Sequence, residues 1–597
     1  MPMIVDIETF DPLLTSKGPG VYRKDGFILG VGILCPEMNI RKYFPLKHTD
    51  TTRAEAMKNG EIIYDLLASD ITKVTANGIY DFDWLINGYG FEVNGVWEDV
   101  IAREALLYPY HRSYALDNLS KMYGSVGKKE GGAEQVAEAM GFVCTKTKPV
   151  QTYFRHFTTA QIEEYALADL DETLFVYEKQ QPLLKERGLL AINDMENNLT
   201  PLLIKMKKTG VRIDENRRQE AMNKILTDYN QGMRDFEKQY GVHDINFGSA
   251  KNMQFLFDKN HIEYGYTAKG NPCFDANMLG ALKHPIGKEI LRLKSLKTVL
   301  NNFVDGSLKE FQINGRIHPC HHATKKDDGG TVTGRFTCSH PNTQQIPSKE
   351  EKQGDLIRSC FIPEEGCWWG APDFSQIEYR VLAHFATGPK SESLREEFRR
   401  NPKTDYHQLV MDLTGLSRKY AKNFNFGSIY FMGKKTMSEK FGFSMEECEK
   451  LTKQYYGAMP FIAPTRDAMM ETARRRGYLK TVLGRQVLLS DDIRANRQEY
   501  KLVNYLIQGS AADIMKKGMV EAYNQGLFDV LTPHLTVHDE LGVSVPKTRE
   551  GLEAYKELIY TMEHAVTLDI PIMVDNDIGA NWGSLEAVDL DEMILKL

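Results

Sequence analysis

The chain has 597 residues, 42% of them hydrophobic, and its 74 Lys and Arg against 81 Asp and Glu leave a formal charge of -7. That length sets a prior of about four folding units, and the acidic balance excludes a basic-tail protein without excluding a local basic surface, which net charge does not report. No apolar run approaches the ~20 residues of a membrane span, and the N-terminal "MPMIVDIETF" enters a strand directly, with no room for a signal or transit peptide. Through residue 190 or so, short apolar strands ("MIVDIE", "FILGVGIL", "KVTANG") alternate with helical stretches, the pattern of an α/β domain. In "MIVDIET" Asp6 and Glu8 are two apart, so both side chains leave one face of a strand. Two carboxylates there repel each other unless a cation or proton lies between them. "NGIYDFDWL" carries Asp81 at the entry to a helix, and "YALADLDET" sets Tyr165 and Asp169 on one helical face. Each acid alone reads as a solvated or capping residue. Together they can converge as hard oxygen ligands suited to Mg2+ or Mn2+ rather than zinc.

From about Asn193 to Ser307 the pattern is helical and charged, with Lys and Arg on the outer faces of "KNMQFLFDK" and "GKEILRLKSLKTVL". This is either a solvated surface or an arm that grips a backbone. Strands return near residue 310 in "GRIHPCHHAT", "WWGAPDFS" and "HLTVHDELGVSV", and long helical segments lie between Tyr406 and Arg476. The mixture predicts an α+β body holding a large helical insertion. The eight cysteines form no Cys-x-x-Cys pair and read as reduced, buried thiols of a cytosolic-type protein. "HPCHH", with His318, Cys320, His321 and His322, has no second half at zinc-ligand spacing and reads as strand and turn.

Three stretches of this second half carry chemistry. In "GAPDFSQIEYRVLAHF", Pro372 has no amide donor, so a central strand is not expected to run through it. Asp373 follows, a helix begins near Ser375, and Ser375 with Glu378 forms the S-x-x-E pattern of a capping box. In "HLTVHDELGVSV", Leu535, Val537, Leu541, Val543 and Val545 alternate as a half-buried strand, interrupted by His538, Asp539 and Glu540. A continuous strand would bury Asp539 among valines, where a lone carboxylate is costly. A turn at 538–540 would instead place Asp539 at a hairpin tip, and Asp373 beside it would complete a second two-carboxylate metal site. Between these acids, "RKYAKNFNFGSIYFMG" repeats Arg418, Lys422, Phe426 and Tyr430 every fourth residue, a stripe of two cations and two aromatics. Such a stripe is a triphosphate clamp with a stacking ring beyond it, or an amphipathic core helix.

Asp-x-Glu, Asn-x-x-(Phe/Tyr)-Asp and Tyr-x-x-x-Asp, in that order, resemble the three motifs of the proofreading 3′→5′ exonuclease domain (DEDD superfamily, tyrosine subtype). "DFSQIEYR", Arg-x-x-x-Lys-x-x-x-Phe-x-x-x-Tyr and "VHDE" resemble motifs A, B and C of family A DNA polymerases, the bacterial DNA polymerase I type. "TGRFTCSHPNTQQIP", "DYHQ", "YLKTVLGRQ" and "NYLIQGSAAD" extend the resemblance over nearly the whole chain. It implies an RNase H-like α/β exonuclease domain at 1–190 and an α+β right-hand polymerase at 191–597. Within the latter, the thumb would span about 200–310, the palm about 311–400 and 480–597, and the fingers about 401–479.

The resemblance implies DNA-templated primer extension with proofreading. Asp6, Glu8, Asp81 and Asp169 would be metal ligands, and Tyr165 would orient the attacking water. Asp373 and Asp539, helped by the Phe374 carbonyl, would hold two Mg2+, or Mn2+, with Glu540 as an auxiliary acid. Arg418, Lys422 and His407 would contact the triphosphate, with Lys422 as the candidate general acid. Phe426 would stack on the incoming base, and Tyr430 would lie at the base of the pocket. Gln376 joins the substrate-binding set, and Glu378 would exclude a ribose 2′-hydroxyl. Arg335, Gln508 and His538 would touch the primer terminus or the minor groove, whose acceptors all correct pairs share. The implied partners are primer–template DNA, dNTPs and a single-stranded 3′ end, with a helicase, primase or processivity factor as further candidates and no membrane.

A chain starting at the exonuclease motif would lack the 5′-nuclease domain of many relatives. It would resemble a bacteriophage enzyme working in the host cytoplasm. Two departures stand out: Phe431 replaces the glycine usual after the motif B tyrosine, and Tyr500 and Lys501 occupy a region where an arginine is frequent. The main alternative is a 3′→5′ exonuclease whose polymerase-like half only holds DNA, against which Asp373, Lys422 and Asp539 argue. A single-subunit RNA polymerase is opposed by Glu378 and the exonuclease motifs. A non-enzymatic DNA-binding module would not need two sets of acids.

Overall fold

The computed structural model describes the chain except residues 128–131, 146–147, 268, 328, 350–352, 418–420, 422–423, 425–426, 428–431 and 442, and the side chains of 409–410, 413–414 and 439–441. The N-terminal part is built on a five-stranded sheet of order β3-β2-β1-β4-β5. Its strands are β1 (Met3–Phe10), β2 (Phe27–Cys35), β3 (Ile40–Pro45), β4 (Lys73–Thr75) and β5 (Trp97–Asp99). β1 runs antiparallel to β2 and parallel to β4. The continuous apolar run of β2 is buried along nearly all its length, as expected of a strand covered on both faces.

The short helix α1 (Gly78–Asp83) follows β4. The 29-residue helix α2 (Thr159–Arg187) starts at a Thr158–Gln161 capping box and stops at Gly188, whose φ is 66°. Gly32 in β2 lets this helix approach: a Cβ there would lie 3.1 Å from the Leu170 side chain.

The next helix, α3 (Leu190–Thr209), joins the two halves of the molecule. Its buried Glu196 accepts ion pairs from Arg485 and Lys516, and Arg485 also reaches Asp513 at 2.7 Å. Further along, Lys207 pairs with the fully buried Asp83 of α1. Removing one partner from such a pair leaves an uncompensated buried charge, a loss of roughly 3–5 kcal/mol. The region to residue 307 is mainly helical, led by α4 (Glu215–Tyr240), and its core of Ile225, Phe236, Leu256, Phe257 and Leu293 is continuous with Trp369, Leu535 and Trp582 further along the chain.

The C-terminal body is organised by a second five-stranded sheet of order β7-β8-β6-β9-β10. Here β6 is Cys367–Phe374, β7 Thr532–Val537, β8 Glu540–Pro546, β9 Val574–Gly579 and β10 Glu586–Ala587. The expectation about Pro372 is overturned, since β6 is the central strand and runs through it, with Pro372 opposite Asn576 of β9. The ladder from β6 to β8 holds one register from Cys367–Pro546 to Asp373–Glu540 and is interrupted over Ala371 and Pro372. The missing donor is thus accommodated by a gap in one ladder, while burial of Trp369 and Ala371 keeps the strand in the sheet.

The expected turn is present: β7 ends at Val537, His538 adopts φ 57°, and β8 begins at Glu540. Helices α5 (Ile377–Phe385), α6 (Tyr406–Thr414), α7 (Tyr500–Asn524) and α8 (Arg549–His564) complete this body, with Met445–Ala458 and Ile462–Arg476 in the helical insertion. The capping-box expectation is also overturned. α5 starts at Ile377 after Gln376 at φ 52°, with no side-chain cap bond. The Ser375 amide goes to the Met573 carbonyl at 2.9 Å, and the Glu378 carboxylate is taken by Arg335.

In "HPCHH", Cys320–His322 is a strand paired with Thr337–Ser339. His318 bonds the Lys207 carbonyl at 2.8 Å, and His322 bonds the Ser339 hydroxyl at 2.7 Å. None of the eight cysteines is in a disulfide, five of them being buried and three half-buried. No helix among the described residues is long and apolar enough to cross a membrane.

Two candidate active sites

The first acid cluster sits on the N-terminal sheet. β1 delivers Asp6 and Glu8 from one face, and α2 delivers Asp169, so that one carboxylate oxygen from each lies within 4.8 Å of the others. Asp81 enters from α1. Burial holds its carboxyl well above the usual carboxylate range, and Asp6 and then Asp99 push it further. The Tyr165 phenol is likewise pushed up, first by burial and then by Glu8 and Asp6. All five residues predicted from the sequence therefore share one electrostatic neighbourhood. Acids that raise one another's pKa out of water are a donor set matched to a hard divalent cation.

Two contributors here went unread in the sequence. Asp99 accepts the amides of Asn77 (3.2 Å), Gly78 and Ile101 (both 2.7 Å), which pins the start of α1 and so places Asp81. Tyr43 on β3 is pushed up by burial and then by Glu8 and Asp6, while its hydroxyl lies 2.8 Å from His48 Nε2. Neither residue forms a motif with the acids it serves.

The second cluster lies where β6 meets the β7–β8 hairpin. Asp373 is in register with Glu540 of β8 on one side and Asp575 of β9 on the other. The Phe374 amide donates to the Asp539 carbonyl at 3.2 Å, which fastens the hairpin tip to the end of β6. These acids are partly open to solvent but packed closely enough for desolvation to dominate. Burial raises Asp373 well above its ordinary range, and Asp539, Glu540, Asp575 and Asp577 add to the rise. Asp539 is pushed up to about 6 by burial, with Arg335 pulling it down and Glu378 pushing it up. Burial also raises Glu540, which accepts a 2.6 Å bond from Trp582 Nε1 and faces Arg358 at 3.7 Å. Arg358 in turn lies over the Trp582 ring, 4.1 Å from its centroid.

Asp575, Asp577, Arg358 and Trp582 were missed in the sequence. The "VDNDIG" acids are two apart on a strand, the same signal that marks Asp6 and Glu8.

Around this cluster the other predicted residues are placed as follows. Arg335 and Glu378 form an ion pair with each other. Gln376 Oε1 accepts the Tyr406 amide at 3.0 Å, which ties α5 to α6. His407 is buried and meets the Tyr379 ring edge-on at 4.9 Å. Gln508 is half-buried on α7, where the adjacent Gly509 allows close approach to the segment leading to Arg335: a Cβ there would lie 3.0 Å from the Thr333 carbonyl. His538 is exposed at the hairpin tip, and Tyr500 is exposed at the start of α7. Arg418, Lys422, Phe426, Tyr430 and Phe431 lie outside the described residues.

Comparison with known proteins bears on the second cluster. The sequence profile of DNA polymerase family A matches residues 215–584. A DNA-directed DNA polymerase of Pseudomonas phage M6 is 27% identical over 97% of this chain and 93% of its own length. DNA polymerase DpoZ of Salmonella phage PMBT28 is 27% identical over 82% of this chain and 84% of its own. DNA polymerase I of Geobacillus stearothermophilus is 32% identical over 66% of this chain and 46% of its own. In fold, the chain is similar to the structure titled "POL domain of Pol1 from M. smegmatis complex with DNA primer-template and dNTP", with a TM-score of 0.75, 23% identity and coverage of 98% of this chain and 95% of that one. The profile match spans well over half the chain and takes in the whole second acid cluster, and the chain accordingly belongs to DNA polymerase family A as a DNA-directed DNA polymerase of the phage type.

Proposed function

We propose that the chain extends a primer 3′ end by metal-assisted nucleotidyl transfer at the Asp373–Asp539 cluster and removes mispaired 3′ ends by hydrolysis at the Asp6–Glu8–Asp81–Asp169 cluster. The observation that carries the reading is the meeting of Asp373 with the hairpin tip at Asp539, two partly desolvated carboxylates on rigid strands. Two divalent ions per site, Mg2+ or Mn2+, would supply Lewis acidity for the attacking and leaving oxygens of an in-line displacement. Asp373, Asp539 and the Phe374 carbonyl would hold them in the polymerase site. Glu540, held by Trp582 and Arg358, would keep its charge beside that site rather than in it.

Glu378 would stand against the sugar of the incoming nucleotide, and Arg335 and Gln508 against the minor groove of the new pair. Arg418, Lys422 and His407 would grip the triphosphate, with Lys422 delivering the proton to the leaving pyrophosphate. Phe426 would stack on the base, with Tyr430 and Gln376 completing the pocket and His538 near the primer terminus. In the N-terminal site Tyr165 would orient water for attack on the terminal phosphodiester. Its ring meets Phe154 edge-on at 5.7 Å, which limits its rotation. The sheet order β3-β2-β1-β4-β5, with the acids on its central strand, supports the RNase H-like reading of this domain.

The proposed bounds remain 1–190 for the exonuclease domain and 191–597 for the polymerase, consistent with α3 as the joint between them. A labelled primer–template incubated with Mg2+, with and without dNTPs, tests the whole reading. Extension with dNTPs and 3′ shortening without them is the expected pair of results. Shortening under both conditions would leave an exonuclease that only holds DNA, and extension with rNTPs in preference to dNTPs would make this an RNA polymerase.

A further inference from the structure

An open groove of about 760 Å3 lies between the C-terminal end of α2, the loop at Tyr108–His111 and the hairpin formed by Tyr478–Lys480 and Gln486–Leu488. Neither acid cluster uses it. Its walls bring Arg187, Arg476 and Lys480 against two acids, Glu186 and Asp491. A second hollow of about 430 Å3 shares His111 with the first and adds Arg112 and Lys121, with no acid among its lining residues. Five permanent cations line this track with two acids, one of the five, Lys121, being paired with Asp117 at 2.8 Å, in a chain whose net charge is -7. The local sign is thus the reverse of the global one, the electrostatic footprint of a polyanion site. Tyrosine rings lie among the cations: Tyr108, Tyr110 and Tyr478 are all half-buried in the groove.

The floor is fixed and the charges above it are not. Across the boundary between the two halves, Tyr110 donates its hydroxyl to the Leu488 carbonyl at 2.9 Å, and Gln486 donates to the Arg187 carbonyl at 3.1 Å. Arg187 spends its guanidinium on the Leu107 carbonyl (2.7 Å) and the Tyr108 hydroxyl (2.8 Å), so it builds the wall. Arg476 and Lys480 are exposed and make no ion pair among the described residues, so their heads are available to a ligand. A duplex offers such a surface only its phosphates. Tyrosine faces between cations suit a strand whose bases are unpaired and free to stack.

The groove's two walls belong to elements that also carry residues of the two candidate sites. Its hairpin wall is anchored to α7 by the Thr481 hydroxyl, which donates to Asp513 at 2.6 Å, and α7 carries Gln508. Its other wall is α2, which carries Tyr165 and Asp169.

We infer that this groove binds single-stranded DNA, with Arg476 and Lys480 on phosphates and Tyr478 against bases. The strand has two sources, unpaired template ahead of the polymerase site or an unpaired primer 3′ end bound for the N-terminal site. The inference rests on the chain's membership of a DNA polymerase family and takes no support from the exonuclease assignment.

The test uses the full chain and an Arg476→Ala/Lys480→Ala variant, both with exposed side chains removed and the hairpin left intact. Fluorescence anisotropy in EDTA, so that no turnover occurs, measures binding to three DNAs: a blunt duplex, the same duplex with a long 5′ template overhang, and one with a frayed 3′ primer tail. The variant should lose at least fivefold in affinity for a tailed DNA while the blunt duplex changes by less than twofold. Loss on the 5′ overhang assigns the template, and loss on the frayed primer assigns the 3′ end. The salt slope for that DNA should fall by about 1.4, the value for two lost phosphate contacts on a single strand.

Tyr478→Leu should weaken the same DNA and leave the salt slope unchanged. Equal changes on all three DNAs, or none on any, would overturn the inference. Failure of the wild type to extend a primer would instead remove the polymerase reading, which is a different outcome of a different assay.

Discussion

The two acid clusters meet one chemical requirement in different ways. In the N-terminal site the acids are each other's neighbours: after burial, what perturbs Asp81 is Asp6 and Asp99. In the C-terminal site Asp373 is likewise perturbed by other acids, but Asp539 and Glu540 also face the chain's own cations and donors, Arg335 against Asp539 and Arg358 with Trp582 against Glu540. The scaffolds differ accordingly. A regular strand face and a regular helix face are sufficient to assemble the first cluster. A hairpin tip, three strand ends and a C-terminal tryptophan are needed for the second. The N-terminal set is therefore a cage of carboxylates, whereas the C-terminal set is partly balanced by protein groups at Asp539 and Glu540. Arg335 is shared in this balance, since it also pairs with the Glu378 carboxylate, which pushes Asp539 up.

Substitutions that separate the sites should show effects of graded size. Asp539→Ala is expected to lower single-turnover extension by about a thousandfold, roughly 4 kcal/mol of barrier, while 3′ shortening of single strands stays within a few-fold. Comparable losses in both reactions would mean that the clusters are not independent. Glu378→Ala should narrow the preference for dCTP over rCTP opposite guanine by at least about tenfold, or roughly 1.4 kcal/mol. An unchanged ratio would reject the sugar-gate role. Trp582→Phe keeps the ring packing and removes the 2.6 Å donor to Glu540. It should raise the Mg2+ concentration for half-maximal extension by about three- to fivefold, with each site's separation preserved because shortening is unaffected. A fall in melting temperature with no change in Mg2+ dependence would make Trp582 a packing residue alone.

The last effect sought is on stability and not on rate. His534, buried in β7, has its pKa lowered to about 4, chiefly by burial. Its rings are engaged by the Gly210 carbonyl (2.8 Å) and the Ser544 hydroxyl (2.6 Å). The folded value lies below the unfolded one of about 6.5, so below that pH the unfolded chain binds the proton first. The stabilisation is complete above about pH 6.5 and is lost as pH falls towards 4, at about 1.4 kcal/mol per unit. The melting-temperature gap between wild type and His534→Gln should narrow over that window. A gap constant from pH 8 to pH 5 would contradict this. Asp539, whose pKa is raised, acts in the opposite sense, and the difference between the two proteins cancels it.

What the sequence made legible follows the same division. Asp6, Glu8, Tyr165 and Asp169 could be placed because strand and helix periodicities act over two and four residues. The hairpin tip at Asp539 was legible because a carboxylate among valines is too costly to leave in a continuous strand. Pro372 misled because a donor rule that holds locally was met by a gap in one ladder of a sheet whose other contacts keep the strand central. Ser375 and Glu378 misled because a partner 43 residues away, Arg335, took the carboxylate that a cap would have used. Trp582 was out of reach for the same reason, since 42 residues separate it from Glu540. The network of Glu196 and Arg485 spans 289 residues and leaves no local pattern at all.

The central claim is that one chain carries two separable metal-dependent sites, one for adding nucleotides and one for removing them. It is tested most directly by Asp6→Ala with Glu8→Ala in the full chain, followed on one labelled primer–template bearing a 3′ mismatch. The double variant should lose 3′ shortening by about a thousandfold in the absence of dNTPs and should extend a matched primer at close to the wild-type rate. Shortening of the mismatched end at the wild-type rate would contradict the claim and place that reaction elsewhere in the molecule.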